Sequence, residues 1–122
     1  MDRILLVDDD VDFLGLLDLL LKDSFTVDKA TSTLEAAELI KMYEYKAVVL
    51  DVSLPDFTGY YLGELVRKAN PKTPIAFLTN YDGPITRENA EEISAEFWKK
   101  TDIIESPKTL VDKIKSLYDK ID

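Results

Sequence analysis

The sequence has 122 residues and a net charge of −9, with 24 acidic and 15 basic residues. This length fits one compact domain, and the acidic balance argues against nonspecific binding to nucleic acid or to an anionic membrane. The sequence contains no Cys and no His, which excludes disulfides, thiol catalysis and metal sites built on sulfur or imidazole. Any metal is therefore expected to be held by oxygen, which favours Mg²⁺, Mn²⁺ or Ca²⁺.

Five short segments have the composition of β-strands. Three are unbroken apolar runs, which are typical of parallel strands covered on both faces, and two have weaker patterns. In chain order the predicted strands are residues 4–7, 25–30, 47–50, 75–78 and 97–99. The first run is too short for a secretory signal or a membrane span, so we expect a soluble, cytoplasmic protein.

A helical pattern follows each predicted strand. The predicted helices are residues 11–22, 32–43, 60–69, 86–94 and a last helix after residue 106. Ser32 and Glu35 have capping-box spacing, and Ser106 with Pro107 is typical of a helix start. Five β–α repeats predict a three-layer α/β/α sandwich with a five-stranded parallel sheet of order 2-1-3-4-5. No linker or repeat interrupts them, so we expect one domain over residues 1–122.

Acidic residues follow two strands that this order makes neighbours. Asp8 and Asp9 come after the first strand and Asp51 after the third. Ligands of open parallel sheets bind at the carboxyl ends of such strands, so we expect these carboxylates to converge and either to raise their pKa values or to bind a cation such as Mg²⁺. Each of them alone would equally suit a turn, and Asp10 is better explained as a helix N-cap.

Two further strand ends carry groups that suit a phosphate. Thr79 ends the fourth strand with a hydroxyl, although a Thr there also suits a turn. Lys100 follows the fifth strand, and its ammonium could pair with a carboxylate or a phosphate. Lys99 is the alternative to Lys100.

Several motifs resemble the receiver domain of two-component response regulators. The opening of that domain is similar to residues 3–10, RILLVDDD. Its phosphoacceptor loop, with Pro four residues after the Asp and Gly four further on, resembles residues 51–59, DVSLPDFTG. The ends of its fourth and fifth strands have the spacing found in residues 77–79 and 97–100. The resemblance covers essentially the whole chain and implies a CheY-like, flavodoxin-like fold.

The resemblance also implies a phosphoacceptor site. Asp51 would accept a phosphoryl group from a histidine kinase or a phosphotransfer protein. Mg²⁺ would be held by Asp8, Asp9, Asp51 and the backbone carbonyl of Ser53. A charge-offsetting cation suits this reaction, because phosphoryl transfer depends mainly on positioning and electrostatic stabilisation.

The family resemblance implies a switch as well. Thr79 would follow the phosphoryl group, Lys100 would pair with it, and Phe97 would turn inward as the aromatic switch residue. The surface around the fourth helix, the fifth strand and the last helix would then bind a downstream protein target. The expected protein is a signalling module rather than an enzyme, a monomer or weak dimer, with no direct contact to nucleic acid or membrane.

Two positions depart from the family pattern. Thr101 follows Lys100 where the family usually has Pro, often after a cis peptide bond. A cis bond before a residue other than Pro costs about 3 kcal/mol, so we expect a trans peptide or an altered loop. Asn80 follows Thr79 where a small residue is usual.

Two other functions remain open from the sequence. The departures at Thr101 and Asn80 would suit a degenerate receiver that docks to partners without phosphorylation. A phosphatase of the haloacid dehalogenase type would also use a strand-end Asp with Mg²⁺, but it needs a second Asp two residues later, where this chain has Ser53.

Overall fold

A computed structural model describes residues 1–52, 54, 59–80 and 84–119. The strands are β1 (Arg3–Val7), β2 (Thr26–Ala30), β3 (Ala47–Leu50), β4 (Ile75–Thr79) and β5 (Glu96–Lys99). The helices are α1 (Val11–Leu21), α2 (Thr33–Met42), α3 (Gly59–Ala69), α4 (Pro84–Glu92), α5 (Lys100–Glu105) and α6 (Leu110–Tyr118), with a 3₁₀ turn at Pro107–Thr109 before α6. None of the helices in these described ranges is both long and apolar enough to cross a membrane.

The strands form one parallel sheet of order β2-β1-β3-β4-β5, which confirms the predicted topology. Val7 at the end of β1 pairs with Ala30 of β2 and with Leu50 of β3. Thr79 at the end of β4 pairs with Lys99 of β5. The strands therefore end along one edge, and the residues that follow them meet there.

Two apolar clusters cover the two faces of the sheet. Leu6 belongs to the cluster under α1 and α6, whereas its neighbour Leu5 belongs to the cluster under α2 and α3. Both side chains are buried. Successive side chains of a strand point to opposite faces, so a strand covered on both sides must be apolar at every position. This explains the unbroken apolar runs and confirms the three layers.

The segment after β5 differs from the predicted loop. It forms α5, which begins at Lys100 and buries Ile103 completely. The described residues contain no cis peptide bond, so the Lys100–Thr101 peptide is trans, as expected. Pro107 starts a 3₁₀ turn that leads into α6 instead of starting the last helix itself. A six-residue helix shows too little of the helical period to be detected as a pattern.

The start of α2 follows the prediction in one half of the capping box. Ser32 Oγ accepts a hydrogen bond from the Glu35 amide at 3.2 Å. The Glu35 carboxylate reaches back one residue further than the motif requires, because it accepts from the amide of Thr31 at 3.2 Å.

Candidate functional site

The two buried Asp residues continue the parallel hydrogen-bonding ladder past the strand ends. The Asp8 amide donates to the carbonyl of Ala30 at 3.1 Å, and the Asp51 amide donates to the carbonyl of Val7 at 2.8 Å. Asp8 is 3% exposed and Asp51 is 6% exposed. Backbone pairing thus fixes where both carboxylates leave the sheet.

Three carboxylates meet at this edge. Asp8, Asp9 and Asp51 each offer one oxygen, and these oxygens lie within 4.8 Å of one another. Asp9 is exposed, so the cluster is open to solvent on its side. Ser53, whose carbonyl was expected to join them, lies outside the described residues.

Lys100 reaches into the same cluster from the first residue of α5. Its Nζ lies 2.6 Å from Asp8 Oδ2 and 3.4 Å from Asp51 Oδ2. Lys100 is 9% exposed. Of the two candidate lysines, Lys100 is the one whose ammonium lies between the carboxylates; Lys99 ends β5 beside Thr79.

Burial and charge shift the protonation equilibria of this pair. Burial raises the pKa of Asp8, and the hydrogen bonds from Lys100 and from the Asp10 amide offset only part of that rise. Burial alone would lower the pKa of Lys100, but the hydrogen bond and charge of Asp8, with the charge of Asp51, outweigh it and leave that pKa above its ordinary value. Lys100 therefore stays an ammonium at neutral pH.

The donor set fits a hard divalent cation. Three carboxyl groups face a single ammonium, and acidic groups brought together in a partly desolvated place favour the binding of a cation. Every side chain of the cluster that could bind a metal offers oxygen, the ligand that Mg²⁺ prefers. Asp8, Asp9 and Asp51 are the described residues that could hold such an ion.

Asp10 is an N-cap, as the sequence predicts. Its Oδ1 accepts from the Phe13 amide at 3.1 Å in the first turn of α1. Its own amide donates to Asp8 Oδ1 at 2.9 Å. The cap therefore orients Asp8 as well as starting the helix.

Thr79 and Phe97 lie on the neighbouring strands. Thr79 ends β4 at the same edge and is buried. Phe97 in β5 pairs with Phe77 in the adjacent strand β4 and is half-buried. The guanidinium carbon of Arg87 in α4 lies 5.1 Å from the centre of the Phe97 ring. The side chain of Phe97 thus contacts the α4 side of the molecule.

Two residues at the site were not assigned a role from the sequence alone. Gly59 starts α3 directly against Asp51, and a Cβ there would overlap the Asp51 carbonyl oxygen. The motif spacing marks this Gly, although not the reason for it. Phe13 places its ring 4.8 Å from Lys100 Nζ, measured to the ring centre. An aromatic residue in an apolar helix gives no signal of such a contact.

Comparisons with known proteins agree on one family. A family model described as the response regulator receiver domain matches residues 4–105. The cell cycle response regulator CtrA of Brucella ovis is 37% identical over 82 residues, which cover 66% of this chain and 35% of CtrA. The match thus spans well under half the length of this curated relative.

Solved structures share the fold over nearly the whole chain. Chemotaxis protein CheY4 of Vibrio cholerae superposes with a TM-score of 0.86 at 25% identity, covering 96% of this chain and 98% of that one. A putative response regulator from Chloroflexus aurantiacus J-10-fl has a TM-score of 0.85 at 28% identity, covering 98% of both chains.

Proposed function

Because the chain belongs to the response regulator receiver domain family, we propose that Asp51 accepts a phosphoryl group in a two-component phosphorelay, with Mg²⁺ bound beside it. The observation that carries this proposal is the position of Lys100, whose ammonium contacts both Asp8 and Asp51. A cation held at this point can stabilise the negative charge of a phosphoryl group arriving at Asp51.

The proposed reaction uses the Asp51 carboxylate as the nucleophile. One of its oxygens bonds to the phosphorus atom, and the bond between phosphorus and the donor's nitrogen or oxygen breaks, with the electron pair leaving on the donor. Lys100 offsets the charge on the transferring group, and Mg²⁺ held by Asp8, Asp9 and Asp51 would add to that effect. Ser53 stays a predicted ligand.

Phosphorylation would then act on β4 and β5, the strands that follow β3 in the sheet. Thr79 is buried at the end of β4, where its hydroxyl is proposed to bind a phosphoryl oxygen. Phe97 is proposed to turn inward at the same time, which would break its contact with Arg87. The surface of α4, β5 and α6 would change as a result and bind a downstream protein.

The donors in this proposal are a histidine kinase or a phosphotransfer protein. We propose a signalling domain rather than an enzyme, in the cytoplasm, as a monomer or weak dimer. We also propose that residues 1–122 form one domain.

The competing functions lose part of their motivation. The docking-only function drew on Thr101 in place of Pro, yet Lys100 reaches Asp51 with Thr101 inside α5. Asn80 remains its other motivation. The phosphatase function depends on residue 53, which lies outside the described residues and is Ser in this chain.

The test is intact-mass spectrometry after incubation with acetyl phosphate. We expect the wild-type protein to gain one phosphoryl group with Mg²⁺ and none with EDTA. Asp51→Asn should stay unlabelled, whereas Asp23→Asn, an exposed control, should label like the wild type. A wild-type protein that stays unlabelled with Mg²⁺ would overturn the proposal, as would equal labelling of Asp51→Asn.

A further inference from the structure

We propose that Phe13 is a positioning residue, which holds the Lys100 ammonium against Asp8 and Asp51. This inference rests on the proposed function of Asp51 for its kinetic consequence, but the contact itself does not depend on it. Lys100 Nζ lies 4.8 Å from the centre of the Phe13 ring. A cation at this distance from an aromatic ring is attracted by the negative face of the ring.

The Lys100 side chain needs such a constraint. A lysine ammonium is a point charge on a flexible four-carbon stem, and its three donors rotate freely. Lys100 is the first residue of α5, and the Lys99 side chain before it makes no capping hydrogen bond. Asp8 and Asp51 attract the ammonium from one side, and the Phe13 ring adds an attraction from another element, α1.

The contacts around Lys100 form a closed series, in which each residue contacts the next and the last contacts the first. Asp8 Oδ1 accepts from the Asp10 amide, and Asp10 Oδ1 accepts from the Phe13 amide. The Phe13 ring contacts the Lys100 ammonium, which lies against Asp8 Oδ2. The cap of α1 thus orients the first carboxylate and the aromatic ring together. Because these contacts link Phe13, Asp10, Asp8 and Lys100, we expect Phe13 to affect Lys100 beyond its share of the core.

The simpler explanation is that Phe13 only fills the core. It is 8% exposed and belongs to the cluster under α1 and α6, together with Leu14 and Trp98. The chain offers a matched control for this explanation. Phe25 belongs to the same cluster and is 1% exposed. It lies before β2, at the opposite end of the strands, so Phe25→Leu removes a buried ring without approaching Lys100.

The experiment compares Phe13→Leu, Phe13→Tyr and Phe25→Leu in the complete chain. The first readout is the NMR signal of the Lys100 ε-methylene in protein labelled with ¹³C-lysine, assigned by its loss in Lys100→Arg. Protons over an aromatic face are shielded, so this signal reports the ring contact directly. The second readout is the rate of labelling by acetyl phosphate with Mg²⁺. Phe13→Met is the substitute if Phe13→Leu does not fold.

We expect Phe13→Leu to remove the shielding of the Lys100 ε-methylene and to slow labelling about three- to tenfold. Phe13→Tyr keeps the ring, so it should keep both the shielding of the Lys100 ε-methylene and the labelling rate close to those of the wild type. Phe25→Leu should leave both near wild type. An unchanged Lys100 signal in Phe13→Leu would overturn the inference, as would equal slowing in Phe25→Leu. A wild-type protein that does not label contradicts the proposed function instead, and the Lys100 signal then still decides whether Phe13 positions the ammonium.

Discussion

Lys100 lies closer to Asp8 than to the proposed phosphoacceptor. Its Nζ is 2.6 Å from Asp8 Oδ2 and 3.4 Å from Asp51 Oδ2. The three side chains are almost fully buried, so this ammonium is a principal counter-charge for both carboxylates. Removing one partner of a buried ion pair leaves the other charge uncompensated, which costs far more than losing a surface pair.

We expect Lys100→Met to unfold more easily than the wild type in metal-free buffer, by about 3 kcal/mol. The measurement is urea unfolding with EDTA, repeated with Mg²⁺. Added Mg²⁺ should stabilise the variant more than the wild type, because the cation supplies the missing positive charge. Lys29→Met is the control, because it breaks a surface ion pair with Asp18, whose Oδ2 lies 3.3 Å from Lys29 Nζ, and it should lose clearly less stability. An equal loss in the two variants would contradict the assignment of Lys100.

Asp10 offers a test that separates capping from metal binding. Asp10→Ala removes the acceptor for the Phe13 amide, and the loss of an N-cap costs about 1 kcal/mol. Asp10→Asn keeps a side-chain oxygen and should stay within a few tenths of a kcal/mol of the wild type. If Asp10 is only a cap, Asp10→Asn should also keep the Mg²⁺ affinity, measured by titration. A large loss of affinity in Asp10→Asn would identify Asp10 as a ligand.

The sheet and the acidic cluster could be predicted because they follow from local patterns. Unbroken apolar runs such as residues 47–50 mark strands covered on both faces. The strand order then places Asp8 next to Asp51 without further information. These are consequences of periodicity and topology, which a single sequence contains.

The features that the sequence did not predict depend on contacts between distant segments of the chain. The ring of Phe13 and the ammonium of Lys100 come from opposite ends of the chain, and no spacing rule joins them. Arg67 shows the same limit: its guanidinium donates to the carbonyls of Pro71, Thr73 and Ile93 at 2.8–2.9 Å, although nothing in the sequence marks it as more than a surface Arg. Tertiary packing decided the positions of these side chains, whereas α5 was not predicted because six residues show too little of the helical period.

Ser94, just after α4, has a backbone conformation that suits glycine better. Its φ is 57°, in the left-handed region where a Cβ is disfavoured. The Ser94 amide donates to the carbonyl of Glu91 and the Ala95 amide to that of Ala90, which is the usual end of a helix. We expect Ser94→Gly to raise the free energy of unfolding by about 0.5–1 kcal/mol, measured by urea unfolding.

The matched control for Ser94→Gly is Ser116→Gly, at an exposed position inside α6. Glycine has a lower helix propensity than serine, and the variant also loses the hydroxyl that donates to the Lys113 carbonyl, so Ser116→Gly should lower stability by about 0.5 kcal/mol. Opposite signs at the two serines would show that the left-handed conformation, rather than glycine itself, determines the effect. A loss of stability in Ser94→Gly would contradict the strain at Ser94.

The environment of the Tyr45 hydroxyl leads to a prediction about stability at alkaline pH. Its hydroxyl donates to Asp28 Oδ2 at 2.7 Å. Burial, and then this hydrogen bond and the charge of Asp28, raise the pKa of Tyr45 above its ordinary value. The folded chain therefore binds the phenolic proton more tightly than the unfolded chain. The resulting stabilisation is complete below the unfolded pKa of about 10 and is lost as pH rises above it towards the folded pKa.

Tyr45→Phe should accordingly be less stable than the wild type near neutral pH, by about 1 kcal/mol for the lost hydrogen bond. The difference in the free energy of unfolding between the variant and the wild type should narrow above pH 10, because only the wild type then loses the contribution of the phenolic proton. Urea unfolding between pH 7 and about pH 11 measures both effects. Tyr43→Phe is the control, because it keeps the ring that contacts Tyr45 at a position 39% exposed, and it should follow the wild-type curve. A difference that stays constant through this range would show that burial of the Tyr45 hydroxyl does not control its proton.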